Sequence, residues 1–389
     1  MNEHKAVPNI RFNGFKSNWE KIQLKNYVTW YKGSGLSKKY LNVKNIGAPV
    51  IHYSDLYKFS EVIKNVRHWS TINQGKLISN NSILFPSSDV TPNGLARTSA
   101  LVKNGVKAGG DIIIGTLKTS LSNVFMSYQI NRNYKDILRM VSGTTIRHIH
   151  ATDLSNLSEY ITYYPEQQKI GDFFTKLDKL LDLQQQKIDK LELLKKALLQ
   201  TLFPRHDAQI PEFRFKGFEE DWKKTRIGKI VQYSNSTYSV KDLKQKKEKK
   251  FYSVYDATGR QYYSNSFDMD KKYIAIIKDG SNVGAVKLLP ARTSVLSTMG
   301  YLGAHNSDIA FDYYVFKKLN FKKYKVGSGI PHIYFSDYKK QVELVPQLSE
   351  QQKIGNLLSK VDQLIELENK KLQNFQQIKK CLLQNMFVE

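Results

Sequence analysis

Two histidines, His148 and His332, are the side chains of this 389-residue sequence best placed to move protons near neutral pH. They lie in matching stretches, Gly143-Thr144-Thr145-Ile146-Arg147-His148-Ile149 and Gly327-Ser328-Gly329-Ile330-Pro331-His332-Ile333, with Asp153 and Asp337 following at equal spacing. Acid–base catalysis needs a group that answers the imidazole. Neither histidine has a carboxylate or cysteine cluster beside it, and their recurrence at equivalent points reads as a structural junction. Other chemistries fail by motif. The sequence has no Gly-x-x-x-x-Gly-Lys-Ser/Thr phosphate loop, no Asn/Asp-Pro-Pro-aromatic tetrapeptide, no metal-ligand spacing of Cys or His and no Asp…Glu-x-Lys nuclease signature. Gly33-Ser34-Gly35 and Gly327-Ser328-Gly329 are too short for cofactor loops. The expected cofactor set of this chain is therefore empty, without a metal site or catalytic residues.

Binding chemistry remains. The net charge is +25, and 23 Tyr and 19 Phe are interleaved with the lysines and arginines, a pattern that suits nucleic acid. A lysine preference of the source genome would raise such a count without a nucleic-acid role. Residues chosen by type and loop position as DNA contacts are Ser87, Arg97, Lys118 and Thr119 in the first half, and Lys244, Lys246, Lys278, Ser281 and Asn282 in the second. Lysines and arginines would hold phosphates, while Arg, Asn, Gln and Ser on loops would read base edges. Lys241–Lys250 holds six lysines in ten residues and reads either as a solvated face or as a phosphate-contacting loop.

The elements that must position these residues come in pairs. Glu166 to Phe203 aligns without a gap on Glu350 to Phe387, offset by 184 residues, with 17 of 38 positions identical. Both stretches predict long helices with a heptad seam. In the first the seam is Ile170, Phe174, Leu177, Leu181, Ile188, Leu191, Leu198 and Leu202; in the second it is Ile354, Leu358, Val361, Ile365, Leu372, Phe375, Leu382 and Met386. Its polar breaks are matched too, Gln184 with Glu368 and Lys195 with Lys379. Ser349 with Gln352 reads as a capping box, and Pro165 sits near a first-turn position. The paired seams favour an intramolecular coiled coil, though two amphipathic helices on separate cores would share the periodicity. The two helices carry net +1 and +2, so +22 of the charge lies elsewhere.

A second repeat, Pro8-Asn9-Ile10-Arg11-Phe12-Asn13-Gly14-Phe15 and Pro211-Glu212-Phe213-Arg214-Phe215-Lys216-Gly217-Phe218, is followed in each case by a tryptophan, Trp19 or Trp222. The chain is thus two half-units of short motif, variable insert and long helix. From Phe15 to Glu166 is 151 residues but from Phe218 to Glu350 is 132, so the frame is kept while the inserts diverge. Strand-like runs at Ile83–Phe85, Asp111–Gly115 and Tyr273–Ile277 make each insert α+β. The expected segments are 1–17, a motif segment; 18–155, the first recognition domain; 160–205, a central helix; 206–222, the repeated motif; 223–340, the second recognition domain; and 346–389, the C-terminal helix. The single cysteine, Cys381, fits a reducing cytoplasm, and neither a membrane span nor an apolar leader at Met1–Lys5 is present.

This order of motif, insert and Glu-Gln-Gln-Lys-Ile-Gly helix, used twice, resembles the specificity subunit of type I restriction-modification enzymes. The likeness covers essentially the whole chain. Its most specific parts are Pro346–Ile354 and Pro165–Ile170, and the loop Asp279-Gly280-Ser281-Asn282-Val283-Gly284 is similar to one common in the family's recognition domains. The resemblance implies an α+β fold class: two α/β target recognition domains separated by two long antiparallel coiled-coil helices, as a pseudo-twofold internal repeat. It implies partners as well: double-stranded DNA, two methylation subunits that use S-adenosylmethionine and dock on the helices, and two restriction/translocase subunits that use ATP and Mg. Base contacts cannot be carried over, because recognition domains vary from member to member. A self-contained DNA-modifying enzyme, a DNA-binding coiled-coil adaptor and a decoy specificity chain stay open as rivals. If the helices set the distance between two half-sites, removing one heptad from both, about 10 Å at ~1.5 Å per residue, should shorten the preferred spacer by roughly three base pairs at ~3.4 Å each. Mapping the recognised sites of the shortened chain measures this, and an unchanged spacer would end the ruler idea.

Overall fold

The computed structural model describes residues 6–58, 61–205 and 208–388. Met1–Lys5, read above as lacking a leader, lie outside the described residues. The chain divides into two units: Met1–Gln185 with Lys370–Glu389, and Gln186–Asn369. Among the described residues no helix is long and apolar enough to cross a membrane.

The seams fold as the long helices Tyr164–Thr201 and Leu348–Asn385, 38 residues each. The first unit takes the start of the former and the end of the latter; the second unit takes the other two halves. Ile170, Phe174 and Ile188 are buried, as are Ile354, Leu358, Val361 and Leu372, whereas Leu180, Leu183, Leu193 and Leu194, off the seam, are exposed. Ser349 falls inside the first turn instead of capping it, because the helix already begins at Leu348. The carbonyl of Gln347 there takes the amides of Glu350 and Gln351 (3.0 and 3.1 Å). The three charged seam breaks, Lys195, Glu368 and Lys379, are ion-paired. In the second unit Lys195 meets Asp362, and Lys187 meets the buried Glu368 (2.9 Å), with index sums that run the two segments antiparallel. In the first unit Lys379 meets Asp178 (2.7 Å) and Glu61 (3.2 Å). Burial works to lower the Lys379 pKa, but these two carboxylates raise it on balance. A tyrosine from the domain closes each cluster, Tyr128 donating to Asp178 (2.6 Å) and Tyr314 to Asp362 (2.8 Å).

The first insert is built on a mixed sheet and the second on an antiparallel one. In the first unit the strand order is Val28–Lys32, Ile112–Leu117, Ser82–Pro86, Ser99–Leu101, Val62–Ile63. In the second it is Val231–Asn235, Met299–Ala304, Tyr273–Ile277, Val286–Leu289. Ser82–Pro86 and Tyr273–Ile277 are buried at every position, so after Ser82 they read in sequence as continuous apolar runs and not as alternation. Smaller sheets join the frame: Glu20–Gln23 pairs with Ser158–Ile161 in one unit, and Lys223–Arg226 with Val342–Val345 in the other.

The two sequence repeats are the two sides of one contact, made once in each unit. Arg11 grips Glu166 through two hydrogen bonds (2.6 and 2.7 Å), and Arg214 grips Glu350 the same way (2.9 Å each). Both carboxylates are fully buried. One residue on, the Gln167 amide oxygen accepts from the backbone of Ser122 and that of Gln351 from Asp308 (2.9 Å each), at the starts of helices Asn123–Arg132 and Ile309–Lys318. Lys169 lies 5.0 Å from the Phe12 ring and Lys353 4.7 Å from the Phe218 ring. Gly171 and Gly355 let those domain helices approach; a Cβ on Gly355 would stand 2.8 Å from the Phe311 amide.

The cores are closed by an exchange. Phe387, two residues past the end of the second helix, packs against Trp19, Phe125 and Phe174 of the first unit at ring separations of 6.2, 5.4 and 5.7 Å. Phe203, two residues past the end of the first helix, packs against Trp222 and Phe311 of the second unit at 6.1 and 5.5 Å.

Removing one partner of a buried, hydrogen-bonded ion pair strands the other charge, at about 3 kcal/mol or more. Arg214→Ala should therefore lower the denaturation midpoint of the second unit by an amount equivalent to about 3 kcal/mol, while Arg205→Ala, from an exposed pair with Glu212, should cost under about 1 kcal/mol. Adding Glu350→Met to Arg214→Ala should recover part of the loss. Urea titrations of the three variants check this.

Candidate nucleic-acid interface

The buried strands Ser82–Pro86 and Tyr273–Ile277 end in loops that carry several of the residues chosen from the sequence. In each unit the junction stretch holds that loop in the same way. The amide of Ile149 donates to the Ser87 carbonyl (3.2 Å), and that of Ile333 to the Lys278 carbonyl (3.0 Å). Ser88–Asp89 then pairs antiparallel with Arg147–His148, and Asp279 bridges to His332. Gly280 adds a bond from its amide to the Pro331 carbonyl (2.9 Å) and turns at φ +103°, a conformation that favours glycine. The two histidines therefore do stand at equivalent places, at the rim of the loop. His332 Nδ1 donates to the Asp279 carboxylate (2.7 Å), while His148 holds its place by backbone bonds to Ser142 and leaves its side chain exposed.

Around the second loop the structure gathers a polar patch. Lys278 Nζ donates to Asn235 Oδ1 (3.2 Å), which also accepts from the Tyr233 hydroxyl (2.7 Å). Tyr233 stacks on Phe335 at 4.9 Å and 12°. Its hydroxyl pKa is pushed up, first by burial and then by the charge of Asp279. Ser281 and Asn282 are exposed on the turn beyond. Tyr233 and Asn235 were not singled out in the sequence, because what places them is a strand pairing with Met299–Ala304 and not a local motif. The first loop is buttressed from below. Tyr57 donates to the Ser88 carbonyl (3.0 Å), and Arg97 donates to the carbonyl of Tyr57 (2.9 Å).

The remaining candidates are dispersed. Lys118 and Thr119 are exposed at the far end of strand Ile112–Leu117, since Pro86, next to Ser87, pairs with Ile112 at the opposite end. The Lys118 ammonium lies 5.5 Å from the Tyr27 ring. Lys244 and Lys246 lie on the exposed 241–250 segment, where the Lys244 backbone bridges to Tyr263 and its ammonium donates to Glu248 (2.9 Å). Each unit so presents one built loop and, separately, cationic side chains on its surface. Such an arrangement can bind a polyanion in several places and discriminate at one. Among the described residues no group of three or more His, Cys, Asp or Glu could hold a metal ion.

Comparison with known proteins finds the same doubled organisation. A family model for the type I restriction modification DNA specificity domain matches residues 16–193 and again 219–377. The Type I restriction enzyme MjaVIII specificity subunit of Methanocaldococcus jannaschii is 27% identical over 191 residues, which cover 44% of this chain and 43% of that protein. The matched region is thus less than half the length of that relative. The crystal structure of the S subunit of a type-I restriction-modification system from M. genitalium aligns with a TM-score of 0.72 at 17% identity, over 98% of this chain and 99% of that one. At that identity the likeness is one of fold.

Two classes of variant separate holding from reading. Lys244→Ala or Lys246→Ala should weaken binding to all duplexes alike and lower the salt slope by about one. Asn282→Ala should cost about 1–3 kcal/mol on a cognate duplex and almost nothing on a scrambled one. Fluorescence-anisotropy titrations at several salt concentrations distinguish the two.

Proposed function

The chain belongs to the type I restriction modification DNA specificity family, and from that premise we propose that it is the reader of a restriction-modification complex that does its chemistry on other subunits. Each unit reads one half of a split site in double-stranded DNA, with unread base pairs between the halves. Partner subunits carrying S-adenosylmethionine methylate adenine within the site, and ATP- and Mg-dependent partners translocate and cleave unmodified DNA.

The observation that carries this reading is a constant frame holding different loops. The contacts made by Arg11, Glu166 and Gln167 recur at Arg214, Glu350 and Gln351. The loops suspended from that frame differ, Ser87-Ser88-Asp89 in one unit and Lys278-Asp279-Gly280 in the other. A frame kept twice around contents that diverge suits two readers with two targets, hence unequal half-sites. Cationic side chains on both inserts supply salt-dependent affinity, and the loops supply base discrimination.

Co-expression with the methylation subunits, followed by single-molecule mapping of methylated adenines, tests the proposal. The expected result is one asymmetric split motif that disappears when this chain is omitted. Methylation that persists without the chain would overturn the reading.

A further inference from the structure

Each insert ends in the same small hairpin. Ser142 and His148 exchange two backbone hydrogen bonds (3.0 and 2.9 Å), and Val326 and His332 exchange two more (3.0 and 2.8 Å). Residues 143–147 and 327–331 are enclosed. Both loops open on a glycine at φ +92°, where a Cβ would stand 2.3 Å from the Ile146 carbonyl oxygen or 2.7 Å from that of Ile330. Both place an isoleucine fourth, and it is left in water: Ile146 is 53% exposed and Ile330 64%. The isoleucines three positions later, Ile149 and Ile333, are buried and tie the hairpin to the loops at Ser87 and Lys278.

The rest of each hairpin differs, with Thr144-Thr145 against Ser328-Gly329 and Arg147 against Pro331. Parts that read different bases have to differ between the units. A part that both units keep, on inserts that otherwise diverged, acts alike on both half-sites. An aliphatic side chain offers base edges no hydrogen bond, so it suits a role indifferent to sequence. Its flanks are cationic: Arg147 follows Ile146, and exposed Lys322 and Lys325 lead into the second hairpin. An apolar tip on a basic rim has the chemistry of a wedge between base steps of a duplex.

We propose that Ile146 and Ile330 are such wedges, each unstacking one base step of its own half-site while the adjoining loop reads base edges. They add affinity and DNA distortion without choosing the sequence. This inference rests on the DNA-reading function proposed above.

The test uses the complex with the methylation subunits, with Ile146→Ser and Ile330→Ser made separately, and duplexes of the mapped motif carrying 2-aminopurine at successive steps of one half-site or the other. Wild-type complex should raise the emission in both halves. Each variant should abolish the rise in one half only and bind roughly tenfold more weakly, with its methylated motif unchanged; Ile330→Phe should keep the emission. Wild-type emission from both serine variants would overturn the inference. So would an altered motif, which would make the tips readers, or failure of the variants to co-elute with the methylation subunits, which would make the tips a protein contact. A wild-type complex that methylates no split motif would instead defeat the DNA-reading function, and the wedge with it.

Discussion

A carboxylate without access to water is costly to keep charged unless a cation answers it in hydrogen-bonding contact, and each unit of this protein is arranged around one carboxylate answered in that way. Glu166 and Glu350 are fully buried at the starts of the long helices. Their partners, Arg11 and Arg214, lie 155 and 136 residues earlier in the chain. Meeting that demand fixes where the short motif lies against the helix. With the helix start so placed, Gln167 and Gln351 reach the first turn of a domain helix, and Gly171 and Gly355 leave room for it. The sheet that this domain helix covers then presents the loop at Ser87 or Lys278. The path from a buried charge to a surface loop is short and is made entirely of contacts that occur twice.

That path also explains why the frame is the same in both units while the loops differ. A change at Arg214 or Gln351 disturbs a buried polar group that has no alternative partner, which is costly. A change at Ser281 or Asn282 falls on an exposed turn, where substitutions cost little stability. The exposed turns can therefore change without disturbing the frame that holds them. The cationic segment 241–250, exposed throughout apart from Leu243, is similarly free of the core.

Much of this was legible in the sequence because it was written in local regularities. The seam from Ile170 to Leu202 and the apolar run at Tyr273–Ile277 report burial through period and composition, which a window of a few residues contains. The repeats showed that two stretches were constrained, but not that Arg11 and Glu166 were constrained by each other, since nothing local to either reveals a partner so distant. The same limit hid the patch of Tyr233, Asn235 and Lys278, which strand pairing assembles. It also hid the position of Arg97 beneath Tyr57. Ser349 was misplaced for a smaller reason: the helix starts two residues earlier than a capping box at that serine requires.

The crossed placement of Phe203 and Phe387 has a consequence for synthesis. The second unit is one continuous stretch, Gln186–Asn369, and contains all its parts once that stretch has left the ribosome. The first unit begins earlier but needs Phe387 between Trp19 and Phe174, the Asn385 carbonyl for the Ile10 amide (2.8 Å) and the Val388 carbonyl for Arg132 (3.2 Å). At ~5–20 residues per second, the roughly two hundred residues in between take on the order of ten to forty seconds to make. Through that interval the aromatic floor of the first unit is uncovered, and the part of the chain translated first is the part completed last.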